Sequence, residues 1–391
     1  MRYAVKLFIF SLMNILYLIS FFIPKKDNLW VFGAWFGNSY ADNSKYLFEY
    51  IYANKKEIDC IWISKNKRVV EFLKGQGKRA YYYLSMQGIW LVMRSQAAFI
   101  TCSKDDIFAA VLTPRHYVVQ LWHGTPLKKI VYDDRMVYDR DSILHKVKTI
   151  IFPFLKIKFS LVISPSQYIS RIFSGAFRMR QDKCPVLGYP RNDILSNKRA
   201  VINNSRKQVI LYAPTFREGE LTGSVITIPS VQELAEINDF LVSIDKELHI
   251  RLHPAISGKV ADLSMYSSHI SLSTEADIQL DLQQAEILIS DYSSLIYDYL
   301  LTDRPIIQFA PDLDEYLASS REMYHDYEKI AAGPIAHTWS EVLVFLSEYL
   351  CDPKRYAENR KYVRELFNAY NDDLSSERVY QFVYEMLYMK H

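Results

Sequence analysis

The chain has 391 residues, half of them hydrophobic and 23% charged, with a formal net charge of +3. That length suits two domains of about 150–200 residues each, and the apolar share excludes wholesale disorder. The small charge removes the electrostatic argument for a nucleic-acid partner. Four scattered cysteines with no C-x-x-C pair fit a reducing cytosol better than a disulfide framework, and no zinc-ligand spacing is present.

In chain order, the first feature is Leu7 to Pro24, nearly continuous apolar sequence flanked by Arg2, Lys6, Lys25 and Lys26. Eighteen helical residues span about 27 Å, marginal for crossing a bilayer. No small-residue cleavage site follows, and Asn14 with the basic flanks fits a helix lying in a cytoplasmic leaflet. Residues 1–26 are therefore expected to be a membrane-associating helix. The 29 tyrosines fill a core or serve wet interfaces, including membrane and sugar-binding ones.

From Asn28 to Asp193 short apolar runs alternate with helical spacing. Strands are expected at Leu29–Ala34, Cys60–Ser64, Ala80–Leu84, Ala97–Cys102, Tyr117–Trp122, Leu161–Ser164 and Pro185–Gly188, with helices at Asn43–Asn54, Val69–Gly75 and Met86–Arg94. A polar, turn-rich tract from Ser196 to Lys207 reads as a linker. A second alternation follows: strands at Val209–Ala213, Leu248–Leu252, Ile270–Leu272, Ala285–Ile289 and Pro305–Phe309, and helices at Val231–Lys246 and Ser294–Leu301. Helices at about 340–350, 353–368 and Ser376–Tyr388 complete it. The expected fold is α/β, with two Rossmann-like domains facing across a cleft, at 27–198 and 207–391; the last helices are candidates to pack back on the first domain.

Four of these apolar runs stop abruptly in reactive polar residues: His123-Gly124-Thr125-Pro126, Ala213-Pro214-Thr215-Phe216-Arg217, Arg251-Leu252-His253-Pro254 and Ser290-Asp291-Tyr292-Ser293-Ser294. Ligands of open α/β sheets bind beyond the carboxyl ends of the strands, so these ends predict a polar, phosphate-friendly site. An imidazole with an ordinary pKa of about 6.5 makes His123 a candidate base, although a strand-end histidine is often structural. Gly124 permits a tight turn and Thr125 can donate to an oxyanion. Period-2 alternation puts Arg251 and His253 on one face, where they can converge on a phosphate or form an ordinary ion pair. Ser293 and Ser294 can present a helix N-terminus to phosphate or merely cap it; Thr215 and Arg217 extend that logic. Asp139-Arg140-Asp141 and Asp312-Leu313-Asp314 match the D-x-D of metal-dependent glycosyltransferases, a triplet common by chance, and no G-x-G-x-x-G, P-loop or H-E-x-x-H occurs.

Together the four motifs resemble those of the CDP-glycerol glycerophosphotransferases of teichoic acid synthesis. Ser39-Tyr40-Ala41-Asp42-Asn43, Gly188-Tyr189-Pro190-Arg191-Asn192-Asp193 and Gly333-Pro334-Ile335 add to the match, which covers about 28–370. The resemblance implies a GT-B-like fold and a peripheral or monotopic enzyme at the cytoplasmic face of the cell membrane. It further implies a CDP-glycerol or CDP-ribitol donor, a lipid-linked saccharide or growing polymer as acceptor, and release of CMP. The chain lacks a long N-terminal extension and so looks more like the short primases. On this reading His123 and His253 are catalytic, with His123 the base. His253 and Arg251 offset diphosphate charge, with Thr215, Arg217, Asp291, Ser293 and Ser294 on the donor side and Gly124 and Thr125 on the acceptor side. No cofactor is required, a divalent metal is not excluded, and a homo-oligomer is left open. A capsule-polymer transferase or a GT-B nucleotide-sugar glycosyltransferase is the alternative.

Overall fold

The computed structural model describes residues 2–134, 143–156, 158–196, 208–215, 228–252, 268–275, 277–319 and 322–389. The chain divides into two compact units. The first comprises Met1–His123, Ile130–Asp193 and Leu374–His391; the second comprises Gly124–Lys129 and Ile194–Asp373.

The first unit opens with helix α1 (Arg2–Phe22) and continues with β1 (Lys26–Phe32), α2 (Asp42–Asn54), β2 (Asp59–Ser64), α3 (Lys67–Gly75) and β3 (Ala80–Tyr82). Next come α4 (Met86–Arg94), β4 (Ser95–Ile100), β5 (Tyr117–Gln120), α5 (Ile143–Ile151), β6 (Leu161–Val162) and α6 (Gln167–Ala176). Its sheet is parallel with order β3-β2-β1-β4-β5-β6. Parallel strands covered on both faces need apolar residues at every position, which is why Leu29, Trp30, Val31 and Phe32 are all completely buried in the central strand. Phe48, Trp62 and Phe99 pack around them with Val379 and Val383 of the closing helix, Ser375–Tyr388. That helix is anchored by Asp193, whose carboxylate accepts from the Ser375 and Ser376 amides and from the Ser376 hydroxyl at 2.8, 2.9 and 2.6 Å.

The second unit repeats the plan with β7 (Gln208–Ala213), α7 (Val231–Ile244), β8 (Lys246–Ile250), β9 (Ile270–Leu272), α8 (Ile278–Gln284), β10 (Ala285–Ser290) and α9 (Leu295–Tyr299). It continues with β11 (Ile306–Phe309), α10 (Leu313–Ser319), β12 (Ile335–Ala336), α11 (Trp339–Cys351) and α12 (Ala357–Phe367). The closing helix of the first unit is thus α13. The strand order is β12-β11-β10-β7-β8-β9, again all parallel. Read from its own first strand, each sheet has the doubly wound order 3-2-1-4-5-6, with a switch point between β1 and β4 and another between β7 and β10. The motif glycine Gly333 is a close-approach residue: a Cβ there would sit 1.9 Å from the Ile306 carbonyl at the start of β11.

Local chemistry moves some expected boundaries. The expected strand Pro185–Gly188 contributes only an isolated parallel bridge, Ser164 to Val186, and Gly188 turns away with φ +80°. Helix α7 stops at Ile244 because Asp245 is left-handed, and Lys246 already begins β8. Helices α5, α6, α8 and α10 were not expected from the sequence.

Among the described residues no helix is long and apolar enough to cross a membrane. Helix α1 docks along one side: Ser20 Oγ donates to the Val111 carbonyl at 2.6 Å, and Arg115 donates to the Phe21 carbonyl at 2.7 Å. Asn14 reaches the Ile151 carbonyl of α5 at 3.0 Å, and Phe10 meets Phe152 and Phe154 edge-on. The other side of α1 carries exposed Leu7, Phe8, Leu12, Leu18 and Phe22, and α5 adds exposed Ile143, Val147 and Ile150.

Beneath α1, Lys25 donates to the Met93 carbonyl at 2.6 Å and lies 2.9 Å from Nε2 of buried His116. Burial first, and the Lys25 charge second, push the His116 pKa down to about 3. The unfolded chain protonates this histidine at about 6.5, so between those values it binds a proton that the folded state refuses. The contribution is complete above about pH 6.5 and is lost as pH falls toward 3, at up to about 1.4 kcal/mol per pH unit. Urea unfolding of wild type and His116→Gln between pH 4 and 7 is expected to give a shallower pH slope for the variant. Parallel slopes would show that His116 carries no acid linkage.

Candidate active site

Strand β5 delivers Leu121, Trp122 and His123 to the carboxyl edge of the first sheet, and that exit is held from several sides. Trp122 is left-handed (φ 57°) and its amide donates to Gln120 Oε1 at 3.0 Å. Asn43 Nδ2 donates to the Leu121 and Trp122 carbonyls at 3.1 and 3.0 Å, while its Oδ1 accepts from the Arg191 amide. The Arg191 guanidinium donates to the His123 carbonyl and to Asp42, each at 3.0 Å, and both members of that ion pair are buried. The 39–43 and 188–193 motifs therefore clamp the backbone on which the histidine sits.

The imidazole is oriented by a backbone acceptor. His123 Nδ1 lies 2.9 Å from the Thr101 carbonyl, and a carbonyl can only accept, so Nδ1 carries a proton and the lone pair of the neutral ring is on Nε2. Nε2 makes no hydrogen bond among the described residues. Cys102 Sγ lies 3.9 Å from Nδ1, its thiol pKa pushed well above the ordinary range by burial and then by Asp106.

Asp106 organises this corner. Its carboxylate accepts from the amides of Phe36, Thr101 and Cys102, each at 2.7 Å, and from the Thr101 hydroxyl at 3.2 Å. Burial pushes its pKa up, and the amide hydrogen bonds oppose that shift. The Phe36 bond holds a left-handed turn, Trp35 (φ 49°), Phe36 (φ 55°) and Gly37 (φ 84°), in a conformation that costs about 1–2 kcal/mol for each side-chain-bearing residue. Gly33 stands where a Cβ would lie 2.3 Å from the Asp106 backbone carbonyl, so the end of β1 and the 104–106 turn approach too closely for any other residue.

In the second unit the reactive residues straddle the β7/β10 switch point. The Thr215 amide and hydroxyl both donate to Asp291 Oδ1, at 2.9 and 2.5 Å, and the Tyr292 amide adds a third bond at 2.7 Å. Ser290 Oγ reaches the Ala213 carbonyl at 2.7 Å, tying the same two strand ends together. Ser293 Oγ accepts from the Leu295 amide at 3.3 Å, whereas Ser294, at the cap position of α9, makes no side-chain cap bond. Arg251 is held by Asp281 at 3.1 Å, by Ser273 and by the Glu275 carbonyl. Burial raises the Asp281 pKa against the opposing effects of Ser273 and Arg251. Gly124 has φ 141°, and buried Thr125 has a hydroxyl without a hydrogen-bond partner among the described residues. His253 and Arg217 lie outside the described residues, as do residues 139–141. Asp312 of the second D-x-D triplet accepts from the Tyr292 hydroxyl at 3.0 Å. Among the described residues no three His, Cys, Asp or Glu side chains group as a metal site.

The geometry brings His123 together with Thr101, Cys102 and Trp35, and Thr215 together with Asp291. Sequence reasoning missed Thr101 and Asp106, which stand in no motif, and assigned no role to Asn43 and Arg191 although both fell within noted motifs. Removing one partner of a buried ion pair leaves an uncompensated charge, at a cost of about 3–5 kcal/mol. Asp42→Ala is therefore expected to lose that much stability in urea unfolding. A loss within about 0.5 kcal/mol would show that the Asp42–Arg191 pair is not needed to hold the strand exit.

Residues 15–385 match the family model for CDP-Glycerol:Poly(glycerophosphate) glycerophosphotransferase. A teichoic acid poly(glycerol phosphate) polymerase of Bacillus spizizenii is 30% identical over 348 residues, 84% of this chain and 86% of the relative. A teichoic acid glycerol-phosphate transferase of Staphylococcus aureus is 29% identical over 375 residues, 93% and 94% of the two chains. The poly(glycerol phosphate) polymerase of Staphylococcus epidermidis is 31% identical, and the matched part makes up 80% of this chain and 44% of that polymerase. The fold is similar to the wall teichoic acid polymerase TagF, with a TM-score of 0.80 at 24% identity over 98% of this chain and 95% of that one. Two parallel Rossmann-like sheets of the GT-B-like kind, a family match over residues 15–385 and these relatives agree: the chain belongs to the CDP-glycerol:poly(glycerophosphate) glycerophosphotransferase family.

Proposed function

We propose that the chain transfers glycerol phosphate from CDP-glycerol to a hydroxyl of a lipid-linked saccharide or growing polymer, releasing CMP in teichoic acid or related cell-surface polymer synthesis. The observation that carries the reading is the fixed tautomer of His123, with Nδ1–H on the Thr101 carbonyl and the Nε2 lone pair available. In the proposed step Nε2 takes the acceptor hydroxyl proton and the oxygen attacks the glycerol-bearing phosphorus. The bond from that phosphorus to the bridging oxygen breaks, and CMP leaves with the electron pair.

Thr215, Ser293 and Ser294 are the proposed donor-side hydroxyls. Asp291 acts as the brace that fixes Thr215, and Arg251 is a cation already oriented by Asp281. His253 and Arg217 complete the proposed charge-offsetting set, and Gly124 and Thr125 belong to the acceptor side. No step requires a divalent metal. A ribitol-phosphate primase of Bacillus spizizenii, 26% identical over 410 residues, supports CDP-ribitol as the alternative donor. General-base catalysis contributes about 10²–10⁴-fold, so His123→Ala is expected to reduce CMP release from CDP-glycerol and lipid-linked saccharide by that factor, with EDTA leaving the wild-type rate unchanged. An undiminished rate in the variant removes His123 from the base role, and loss of turnover with EDTA introduces a metal.

The proposed location is the cytoplasmic face of the cell membrane, peripheral or monotopic. The exposed apolar residues of α1 and α5 support it, with Phe8, Phe22 and Ile150 exposed by 70%, 75% and 71%, and α5 also carries Lys146 and Lys148. Contiguous exposed apolar surface of this kind marks interaction sites, and basic neighbours favour anionic lipid. Phe8→Glu combined with Ile150→Glu is expected to abolish co-flotation with anionic vesicles without changing the melting temperature. Undiminished flotation would refute the assignment of this face to the membrane.

A further inference from the structure

Trp30 and Phe32 are completely buried, yet Trp35 and Phe36, three and four residues further on, are 38% and 51% exposed. The core does not need these two rings, and the backbone that carries them is left-handed at both positions. Strain of this kind persists only where the surroundings over-determine it, and it concentrates at ligand sites. Here the surroundings are explicit: the Phe36 amide is fixed by Asp106, the Trp35 amide donates to Thr101 Oγ1 at 3.3 Å, and the Asn38 amide closes on the Trp35 carbonyl at 3.0 Å. Thr101 is also the residue whose carbonyl orients His123. The indole centroid lies 5.7 Å from that of the imidazole, with the rings inclined at 52°, so the indole does not stack on the base.

We infer that the left-handed turn Trp35–Phe36–Gly37 is the acceptor platform, on which the saccharide ring carrying the attacking hydroxyl rests beside His123. A sugar ring offers an apolar C–H face and a rim of hydroxyls, and an exposed aromatic ring next to a polar cluster matches both. Asp106 serves the platform as a positioning residue: one carboxylate holds the turn and the Thr101 segment that orients the base. The inference rests on the proposed transfer reaction and adds to it which residues recognise the acceptor.

The test uses the whole chain, CDP-glycerol and a solubilised lipid-linked disaccharide, with CMP release for turnover and tryptophan fluorescence for acceptor binding without donor. Trp35→Gly relieves the left-handed strain while deleting the ring, so it is expected to melt no lower than wild type yet raise the acceptor KM at least tenfold. The CDP-glycerol KM is expected to stay within twofold. Trp35→Phe is expected to keep the acceptor KM within about threefold, and the water-soluble methyl glycoside of the same disaccharide is expected to show the same ranking. An acceptor KM within twofold of wild type in Trp35→Gly overturns the inference. So does a parallel rise in donor KM, which would place the nucleotide on the ring, or a Trp35 effect that vanishes with the methyl glycoside, which would place the lipid chain there. Saccharide-dependent quenching that is lost in Trp35→Phe, together with no CMP release by wild type, would keep the platform and defeat the transfer reaction instead.

Discussion

The Asp106 carboxylate is the constraint on which the rest of the first unit's chemistry depends. It is buried, so its charge is tolerable only because backbone amides converge on it, and those amides belong to the ends of two adjacent strands. Satisfying one carboxylate therefore fixes the exit of β1, the exit of β4, the left-handed aromatic turn and the Thr101 carbonyl together. The imidazole tautomer follows from that carbonyl, since the proton on Nδ1 is set by what the nitrogen faces. On the other side, Asn43 and the Asp42–Arg191 pair hold the peptide groups of residues 121–123. The imidazole stands between two rigid supports, as the proposed proton transfer with little reorganisation requires.

The second unit uses a different device for the same end. There the brace runs across the switch point itself, from Thr215 to Asp291, with Ser290 on Ala213 behind it. An acidic residue at a proposed phosphate site has a physical explanation in this geometry. Asp291 is occupied by two backbone amides and a hydroxyl, so it presents less uncompensated charge than a free carboxylate would. Arg251 is paired in the same spirit, its guanidinium oriented by Asp281 rather than left to search rotamers.

Much of this was legible in the sequence where one dominant period governs. The buried parallel strands are continuous apolar runs, and Met86–Arg94 and Ile270–Leu272 match their expected bounds. The strand ends bearing His123, Thr215 and Asp291 were legible because reactive polar residues stop those runs. Elements set by tertiary contacts were not. Pro185–Gly188 has strand composition but obtains only one bridge, and α8 is a seven-residue helix whose start is set by an Asp277 cap on Gln279. Asp106 was illegible for a different reason. It lies in Lys104-Asp105-Asp106, a run of charged residues with no motif, and its role exists through amides four, five and seventy residues away. Arg251 was legible as a residue, but ion pair and phosphate ligand share one sequence signature, and only distance separates them.

The positions of these features within the first unit bear on how the proposed acceptor is presented. The exposed apolar faces of α1 and α5, His123 and the Trp35 turn all belong to that unit. On the proposed reading, a lipid-anchored acceptor is delivered by its anchor to a protein docked on the membrane, so its local concentration is set by geometry before any contact with the saccharide forms. The platform's contacts then add to that delivery, and those that persist into the transition state are the ones that raise the rate of the chemical step. On the same reading the site must supply orientation of one hydroxyl toward Nε2, and a rigid aromatic surface would do this with few ordered side chains. The strain in residues 35–37 fits that demand: a flexible loop could offer the same rings, but it would have to order them at every turnover.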